Sequence, residues 1–372
     1  MKVGIVPLLY DEYNYGGILQ FYALQRVLRD NGIECNIIFF DNEEKVCDTS
    51  VKKQDMFVLT LKKTIYKLLN KKKKDKLERI MQPRKRKIDL FKESYYSSVV
   101  DSKEVLFTEY DAIICGSDQI WNPAWARRRS FLEFVPDEIN KVIYGASLGC
   151  ESMTNTQKAI FKPRIERLQH VSVREYSAKK LLDSFVENVN IKVVLDPTLL
   201  LMPNEWGKIV KSNKFNDYIF TYFLGEYSDK KKYIQNIADK NDLKIVNIPC
   251  ASGERLDENI FGDIQVKDAD PAEFIGLIKG AEYVFTDSFH ACVFSVLFQR
   301  QFFVFQRDGN SKMYGRISTL LKNFQLPDRN IEIGKNIDEI PKINYIYNEV
   351  NQKQLREQSL KYLFGSIRNE NS

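Results

Sequence analysis

The segment 281–298, AEYVFTDSFHACVFSVLF, joins a predicted strand to a predicted helix. The apolar run 282–285 has the character of a buried strand, and 291–298 reads as a buried helix. Asp287 and Ser288 therefore fall where the N-cap of that helix belongs. A strand followed directly by a helix is the repeating unit of a parallel α/β sheet, so this segment decides the fold class.

His290 lies at this junction, and it is one of only two histidines in 372 residues. Active sites of open α/β sheets gather at the carboxyl ends of the strands. An imidazole there exchanges protons near neutral pH, while the free N–H groups at the start of the helix face an anion. The position predicts a catalytic histidine. A packed or capping histidine is the alternative.

Outward from this segment, short apolar runs alternate with helical patterns in two series. Their alternation predicts parallel sheets wrapped by helices, and so an α/β fold with two Rossmann-like domains that face a cleft. The first series predicts strands at 2–9, 36–41, 112–115, 142–147, 171–174 and 193–195, and the second at 218–224, 244–248, 282–285 and 302–305.

Two prolines in the run 196–203 interrupt the alternation, and the predicted domain boundary lies there. We expect an N-terminal Rossmann-like domain over 1–197, with a basic helical insert near 52–97. A C-terminal Rossmann-like domain follows over 198–345. The last residues, 346–372, are predicted to form a helix that packs back on the N-terminal domain.

Composition predicts a globular protein of the cytoplasm. The apolar fraction of 44% can bury a sizeable core, and no apolar run reaches the roughly 20 residues of a membrane span. The first residues form a predicted strand rather than a signal peptide. The six cysteines are dispersed and form no C-x-x-C pair, which is typical of reduced thiols.

The net charge of +6 comes from one segment, because residues 52–92 alone carry a net +12 and the rest of the chain −6. The first part of this segment has helical apolar spacing with lysines between, notably Lys71 to Lys74. Such a pattern suits peripheral contact with an anionic membrane surface. A solvated helical hairpin is the alternative. Nucleic acid is disfavoured because the aromatics are not interleaved for base stacking.

A glycine pair follows the first predicted strand, in Asn14-Tyr15-Gly16-Gly17, and precedes a predicted helix over 18–29. Paired glycines let backbone amides close on an anion at a helix N-terminus. The run lacks the G-x-G-x-x-G of dinucleotide binders and the lysine of a P-loop, which disfavours NAD and P-loop ATP. A plain tight turn is the alternative, although it would not require the polar Asn14.

Other strand ends of the first series carry polar groups, among them Ser117, Asp118 and Ser147. Arg174 ends an apolar strand, so it is either bridged to Glu175 or another acid, or it clamps an anion in the cleft. No metal site is predicted, since the histidines are distant and the cysteines scattered. The absence of a G-x-S-x-G run in the sequence disfavours a hydrolase.

Taken together, five runs resemble the polysaccharide pyruvyl transferase family, and the resemblance covers roughly residues 1 to 325. The runs are NYGG at 14–17, YDAIICGSDQIW at 110–121, SVRE at 172–175, LDPT at 195–198 and TDSFH at 286–290. The resemblance implies a GT-B-like fold and transfer of pyruvate from phosphoenolpyruvate to a sugar of a capsular or extracellular polysaccharide, forming a ketal. It implies no cofactor beyond that donor substrate. The acceptor would be a sugar or a lipid-linked oligosaccharide at the inner face of the cell membrane.

The resemblance also assigns residues. His290 matches the family's essential histidine and Arg174 its anion-binding arginine, with Asp118 as a second acid or base. Ser288 stands where some members have an arginine, and Ala291 where many have a glycine, so donor-binding charge must come from elsewhere, with Arg316 and Arg307 as candidates. The predicted substrate-binding residues are Asn14, Tyr15, Gly16, Gly17, Ser117, Ser147, Ser288, Phe289 and Arg316.

Two other functions stay open at this stage. A GT-B sugar-nucleotide glycosyltransferase would use the same fold and cleft. A non-enzymatic protein that binds through residues 52–92 would not need His290.

Overall fold

The computed structural model describes residues 1–8, 13–40, 43–47, 71–249, 261–307, 314–345 and 349–370. For residues 71–77 and 349–350 it describes the helix backbone alone. The predicted helical run over 52–70 lies outside the described residues.

The first sheet is parallel throughout and has the strand order β3-β2-β1-β4-β5-β6-β7. The chain enters at β1 in the middle, winds outward to β3 on one side, and returns to β4 on the other. This is the doubly wound Rossmann order, whose direction reverses between β1 and β4. The strands are β1 Lys2–Val6, β2 Glu34–Phe39, β3 Val99–Asp101, β4 Ala112–Gly116, β5 Asn140–Ala146, β6 His170–Val173 and β7 Ile191–Val193.

The second sheet repeats this winding with the order β10-β9-β8-β11-β12, again parallel, and reverses between β8 and β11. The predicted α/β fold with two Rossmann-like halves is therefore confirmed. The short edge strands β3 and β10 were not predicted, since two or three residues show no periodicity. The strands are β8 Tyr218–Tyr222, β9 Lys244–Asn247, β10 Ile264–Gln265, β11 Tyr283–Thr286 and β12 Gln301–Val304.

The helices follow the strands, and two of them begin at polar caps beside the carboxyl ends of central strands. The Asn14 side chain accepts a hydrogen bond from the Gly16 amide at 2.9 Å at the start of α1. The predicted cap Ser288 accepts one from the Ala291 amide at 3.5 Å at the start of α8. The helices are α1 Tyr15–Asp30, α2 Lys71–Tyr95, α3 Asn155–Glu166, α4 Tyr176–Asp183, α5 Pro203–Gly207, α6 Lys231–Lys240, α7 Pro271–Gly280, α8 Phe289–Leu297, α9 Tyr314–Asn323 and α10 Glu349–Ile367.

Helix α2 contains the second half of the basic segment, and one face of it is buried in the fold. Met81, Arg84, Ile88 and Phe91 form a buried stripe at helical spacing. Arg84 is fully buried, and its guanidinium donates to the backbone oxygens of Lys267 at 2.8 Å and Pro249 at 3.0 Å. A solvated hairpin therefore does not describe this part of the segment, because its apolar face packs inside the protein.

The two halves share one continuous core. Tyr15 at the start of α1 stacks on Phe274 of α7 with ring centroids 4.6 Å apart, and its hydroxyl donates to the Ala269 oxygen. Helix α10 returns to the first sheet, where the Asn140 side chain donates to the Ser366 oxygen at 2.6 Å. The chain crosses from β7 to β8 between 193 and 218, and the division at residue 197 stays a prediction. Among the described residues, no helix combines the length and the apolar character needed to cross a membrane.

Candidate active site

A cavity of about 520 Å³ lies between the two halves, at the carboxyl ends of both sheets. Its lining residues follow the central strands of the two sheets, where doubly wound sheets bind their ligands. In each half, the point where the strand order reverses therefore opens onto the same cavity. The lining consists of Leu8, Asn14, Lys45, Asp118, Gln119, Trp125, Arg127, Leu224, Ser288, Phe289, His290, Arg307 and Arg316.

His290 reaches from the first turn of α8 to the first half of the molecule. Its Nε2 lies 3.5 Å from Oδ2 of Asp196. Burial alone would raise the pKa of Asp196, but the charges of His290 and Arg174, with the hydrogen bonds from Thr198, hold that pKa well below its usual value. Asp196 is therefore ionised, and it can stabilise a proton on the imidazole.

Asp196 is fixed by partners on both carboxylate oxygens. Oδ1 accepts from the Thr198 amide at 3.0 Å and from the Thr198 hydroxyl at 2.6 Å. Oδ2 accepts from Nη1 of Arg174 at 2.5 Å. The carboxylate cannot rotate away from His290 without breaking these bonds.

Arg174 pairs with several carboxylates and is fully buried, with a side-chain exposure of 1%. Its Nη2 lies 3.0 Å from Oδ1 of Asp118, and its Nε 3.8 Å from Oε2 of Glu175. Of the two alternatives for this residue, the bridge to acids describes the geometry. Asp118 lines the cavity. Its backbone is left-handed, with φ at 69°, and its backbone oxygen accepts a hydrogen bond from the Ser147 amide at 2.8 Å.

Gly16 leaves the space that the imidazole of His290 occupies. A Cβ built on Gly16 would lie 2.0 Å from Nδ1 of His290, well inside van der Waals contact. No other residue type leaves room for the ring in this position. The glycine in the run 14–17 thus serves the close approach of His290 to α1.

Asp287 ties the start of α8 to the ends of neighbouring strands. Its carboxylate accepts the amides of Leu224 and Gly225 after β8, each at 2.7 Å. It also accepts Nε of Arg307 after β12 at 3.0 Å. This network holds the first turn of α8 rigidly beside the cavity.

The ring of Phe289 is in contact with two arginines. The guanidinium carbon of Arg174 is 4.9 Å from its ring centroid, and that of Arg316 is 5.6 Å away. Burial and the charge of Arg174 lower the pKa of Arg316 to about 10, so Arg316 is still a cation at neutral pH. Arg316 and Arg307, the two candidates for the charge missing at Ser288, both line the cavity.

Of the predicted site residues, the structure brings Asn14, Asp118, Ser288, Phe289, His290 and Arg316 together in the cavity wall. Gly16 contacts the His290 ring but does not line the cavity. Three others are buried in structural bonds: Tyr15 binds the Ala269 oxygen, Ser117 the Gly145 oxygen, and Ser147 the Glu175 carboxylate at 2.7 Å. Burial raises the pKa of Glu175, against the effect of Arg174 and of that hydrogen bond. Arg174 and Gly17 are also outside the cavity lining.

Several residues of the site were not predicted from the sequence, among them Asp196, Lys45, Trp125 and Arg127. Asp196 belongs to the LDPT run at 195–198, and a carboxylate directly before Pro197, at the predicted domain boundary, was the available signal. The other three lie on loops and show no periodicity. Within the described residues, no group of three or more histidine, cysteine or carboxylate side chains is placed to hold a metal ion.

Comparison with protein families gives one match: the model of the polysaccharide pyruvyl transferase family matches residues 14–309. That range includes Asn14, Asp118, Arg174, Asp196 and His290. No curated protein matches the chain.

Several solved structures have a similar shape. The S. aureus MnaA-UDP co-structure is 12% identical with a TM-score of 0.50, over 100% of this chain and 91% of that one. The UDP-GlcNAc 2-epimerases of Neisseria meningitidis and Methanocaldococcus jannaschii are 10% and 14% identical, with TM-scores of 0.46 and 0.44. Each comparison covers 99% of this chain and 93% of the other. At such identities the likeness concerns the fold alone, which is GT-B-like.

Proposed function

The chain belongs to the polysaccharide pyruvyl transferase family, and from this premise we propose that it moves pyruvate from phosphoenolpyruvate onto two hydroxyl groups of a sugar, forming a ketal. The observation that carries this proposal is the pair His290–Asp196 at the edge of a cationic cavity. A proton donor beside a cluster of cations is what an anionic enol phosphate requires.

The donor has a carboxylate and a phosphate, so it needs cations and amide groups. We assign Arg316 and Arg307 to these anions, together with the N-terminal amides of α8 behind the cap Ser288. These groups all come from the second half of the molecule. They line the same cavity as His290, so a donor bound to them would have its enol carbons next to the imidazole.

The reaction begins with protonation of the donor's methylene carbon by the imidazolium of His290, which turns it into a methyl group. A sugar hydroxyl adds to the neighbouring carbon and loses its proton. A second hydroxyl then displaces the phosphate and also loses its proton. One of these protons restores His290 and the other leaves with the phosphate, so that atoms and charges balance. General acid and base catalysis of this kind contributes about 10²- to 10⁴-fold.

Asp196 and Arg174 act through His290 in this scheme. The ionised Asp196 orients the ring and stabilises its protonated form, and Arg174 fixes Asp196 on one side and Asp118 on the other. Asp118, which lines the cavity, orients an acceptor hydroxyl or passes its proton on to the departing phosphate. Arg174 is therefore a positioning residue in this proposal.

The fold favours a second candidate, a GT-B sugar-nucleotide glycosyltransferase of cell-surface polysaccharide synthesis. The test is incubation of the purified protein with phosphoenolpyruvate and candidate glycans, free and lipid-linked, while phosphate release and product mass are followed. We expect phosphate release that depends on the glycan, and a product with the mass of the ketal. Consumption of a sugar nucleotide, with phosphoenolpyruvate untouched, would favour the second candidate instead.

We also propose that the basic segment brings the enzyme to an anionic membrane surface, where lipid-linked acceptors are found. Because Met81, Arg84, Ile88 and Phe91 face inward, this contact involves the part of the segment before Met81 and the outer face of α2.

A further inference from the structure

The part of the cavity wall that comes from the first half contains residues with no role in the proposed donor binding or in the His290–Asp196 pair. Lys45 and Arg127 lie directly opposite each other in an antiparallel bridge. Directly opposed residues project their side chains to the same face, and both of these line the cavity. Like charges in that arrangement repel each other and destabilise the bridge.

Neither Lys45 nor Arg127 forms an ion pair with a described residue. The nearby carboxylate of Glu43 attracts Arg127 electrostatically, but its ion pair is with Arg129, at 3.7 Å. Arg127 is held in place by a hydrogen bond to the backbone oxygen of Glu43. Two cations thus line one cavity wall without an ion pair to a described carboxylate, and an anionic ligand would relieve their repulsion.

Trp125 lies on the same wall and is unusual for its exposure. It is 37% exposed, whereas the chain's other tryptophans, Trp121 and Trp206, are fully buried. Its indole N–H donates to the Gln119 oxygen at 3.0 Å, which fixes the ring. An apolar aromatic face held at a polar cavity is suited to pack against the C–H face of a sugar ring.

We propose that Lys45, Arg127 and Trp125 form the acceptor subsite, and that the acceptor is a sugar bearing a negatively charged group, phosphate or carboxylate. This inference rests on the proposed function for its role, since it puts the acceptor opposite the donor groups Arg316 and Arg307. Trp125 contacts the ring of the acceptor, and the two cations bind its anionic group. The acceptor hydroxyls then face the cavity and the donor.

The exposed Trp125 supplies a test that needs no turnover. Acrylamide quenches exposed tryptophans, so quenching of the intrinsic fluorescence reports Trp125 and is lost in Trp125→Phe. The probes are galactosyl phosphate, galacturonate, the neutral methyl galactoside, and phosphoenolpyruvate alone. We expect at least one of the two anionic sugars to protect Trp125, at a half-saturating concentration at least about tenfold below that of the neutral sugar. Which one does so distinguishes a phosphate from a carboxylate.

The variants sharpen the result. Arg127→Gln and Lys45→Gln should each raise the half-saturating concentration of the anionic sugar about tenfold or more. Arg128→Gln is the matched control, because Arg128 is adjacent, exposed, paired with Glu133 and outside the lining, and it should change nothing. Melting temperatures of all variants verify that they are folded.

Two outcomes overturn the inference: neither anionic sugar protects Trp125, or phosphoenolpyruvate alone protects it and loses affinity in Arg127→Gln. Failure of the proposed function looks different. Phosphoenolpyruvate would then be neither bound nor consumed, whatever the sugars do at Trp125.

Discussion

The two sides of the cavity differ in how their charges are balanced. Around His290, Asp196 and Arg174, the protein neutralises its own charges through short bonds in a buried network. At the bridge between the loops, by contrast, Lys45 and Arg127 stand beside each other without an ion pair to a described carboxylate. Charges that are paired within the protein are suited to holding catalytic geometry, and cations without such a pair to binding a charged substrate.

This difference predicts two kinds of mutational effect. Changes in the buried network should lower turnover or stability and leave substrate affinity nearly unaltered. Changes at Lys45 and Arg127, which we call the basic wall, should lower the affinity for the acceptor and leave the stability of the protein nearly unaltered. The following predictions test the first kind, and the quenching experiment above tests the second.

His290→Gln should have the largest effect. Glutamine retains polar groups but carries no titrating proton, so turnover should fall at least about 100-fold, while donor affinity changes by less than about threefold. Turnover, donor affinity and melting temperature are measured on one preparation. A folded variant that keeps more than about a tenth of the turnover would show that His290 only packs or caps.

The chain offers a matched control for this change in its other histidine. His170 is buried at the opposite end of the first sheet, at the start of β6, with Nε2 3.0 Å from Oδ1 of Asn369. His170→Gln should lower the melting temperature at most and leave turnover per folded molecule unchanged. An equal loss of turnover in both variants would point to a general loss of structure.

Gly16→Ala should come next, because its Cβ would lie 2.0 Å from Nδ1 of His290 and must displace the ring. A displacement of about 1 Å is enough to reduce turnover by roughly tenfold or more. Gly207→Ala is the control, since a Cβ there meets nothing within 4 Å. Turnover and circular dichroism are compared for both. Full turnover in Gly16→Ala would mean that the ring need not lie against α1.

Arg174→Lys should have a smaller effect, mainly on stability. A single ammonium cannot bridge Asp118 and Asp196 as the guanidinium does, so we expect a loss of about 1 to 3 kcal/mol in the free energy of unfolding. The donor KM should change by less than about threefold. Arg316→Lys, on the cavity wall, should instead raise the donor KM about tenfold. A tenfold rise in donor KM for Arg174→Lys would instead show that Arg174 binds the donor anion, the role that the family resemblance implies.

The fold could be predicted from the sequence because its strands and helices have strong local patterns. The junction at 281–298 and the cap Ser288 rest on neighbouring residues, and the structure has both. The partner of His290 could not be predicted, because Asp196 approaches it only when the two halves meet. Arg174 was left between two alternatives for the same reason, since its carboxylate partners come from separate strands.

The basic wall shows another limit of sequence patterns. Lys45 and Arg127 are paired by one bridge between two loops, which has no periodicity. In the basic segment, the lysines suggested a solvent-facing helix, but its apolar stripe from Met81 to Phe91 packs into the protein. Charge alone therefore did not reveal which face of α2 is exposed.

The smallest effect on turnover is expected for the cluster Lys71 to Lys74, which precedes that packed stripe. Replacing all four lysines by glutamine should leave turnover with soluble acceptors unchanged, because none of the proposed catalytic, donor-binding or acceptor-binding residues belongs to the cluster. Binding to anionic lipid vesicles should weaken strongly at low salt, since each lysine near such a surface contributes about 1 kcal/mol. Vesicle sedimentation measures this. A control variant with the same change in charge replaces four scattered, exposed lysines by glutamine. It should bind the vesicles nearly as the natural protein does. If both variants bind the vesicles alike, the basic segment has no special role at the membrane. The control positions are Lys208, Lys214, Lys232 and Lys240.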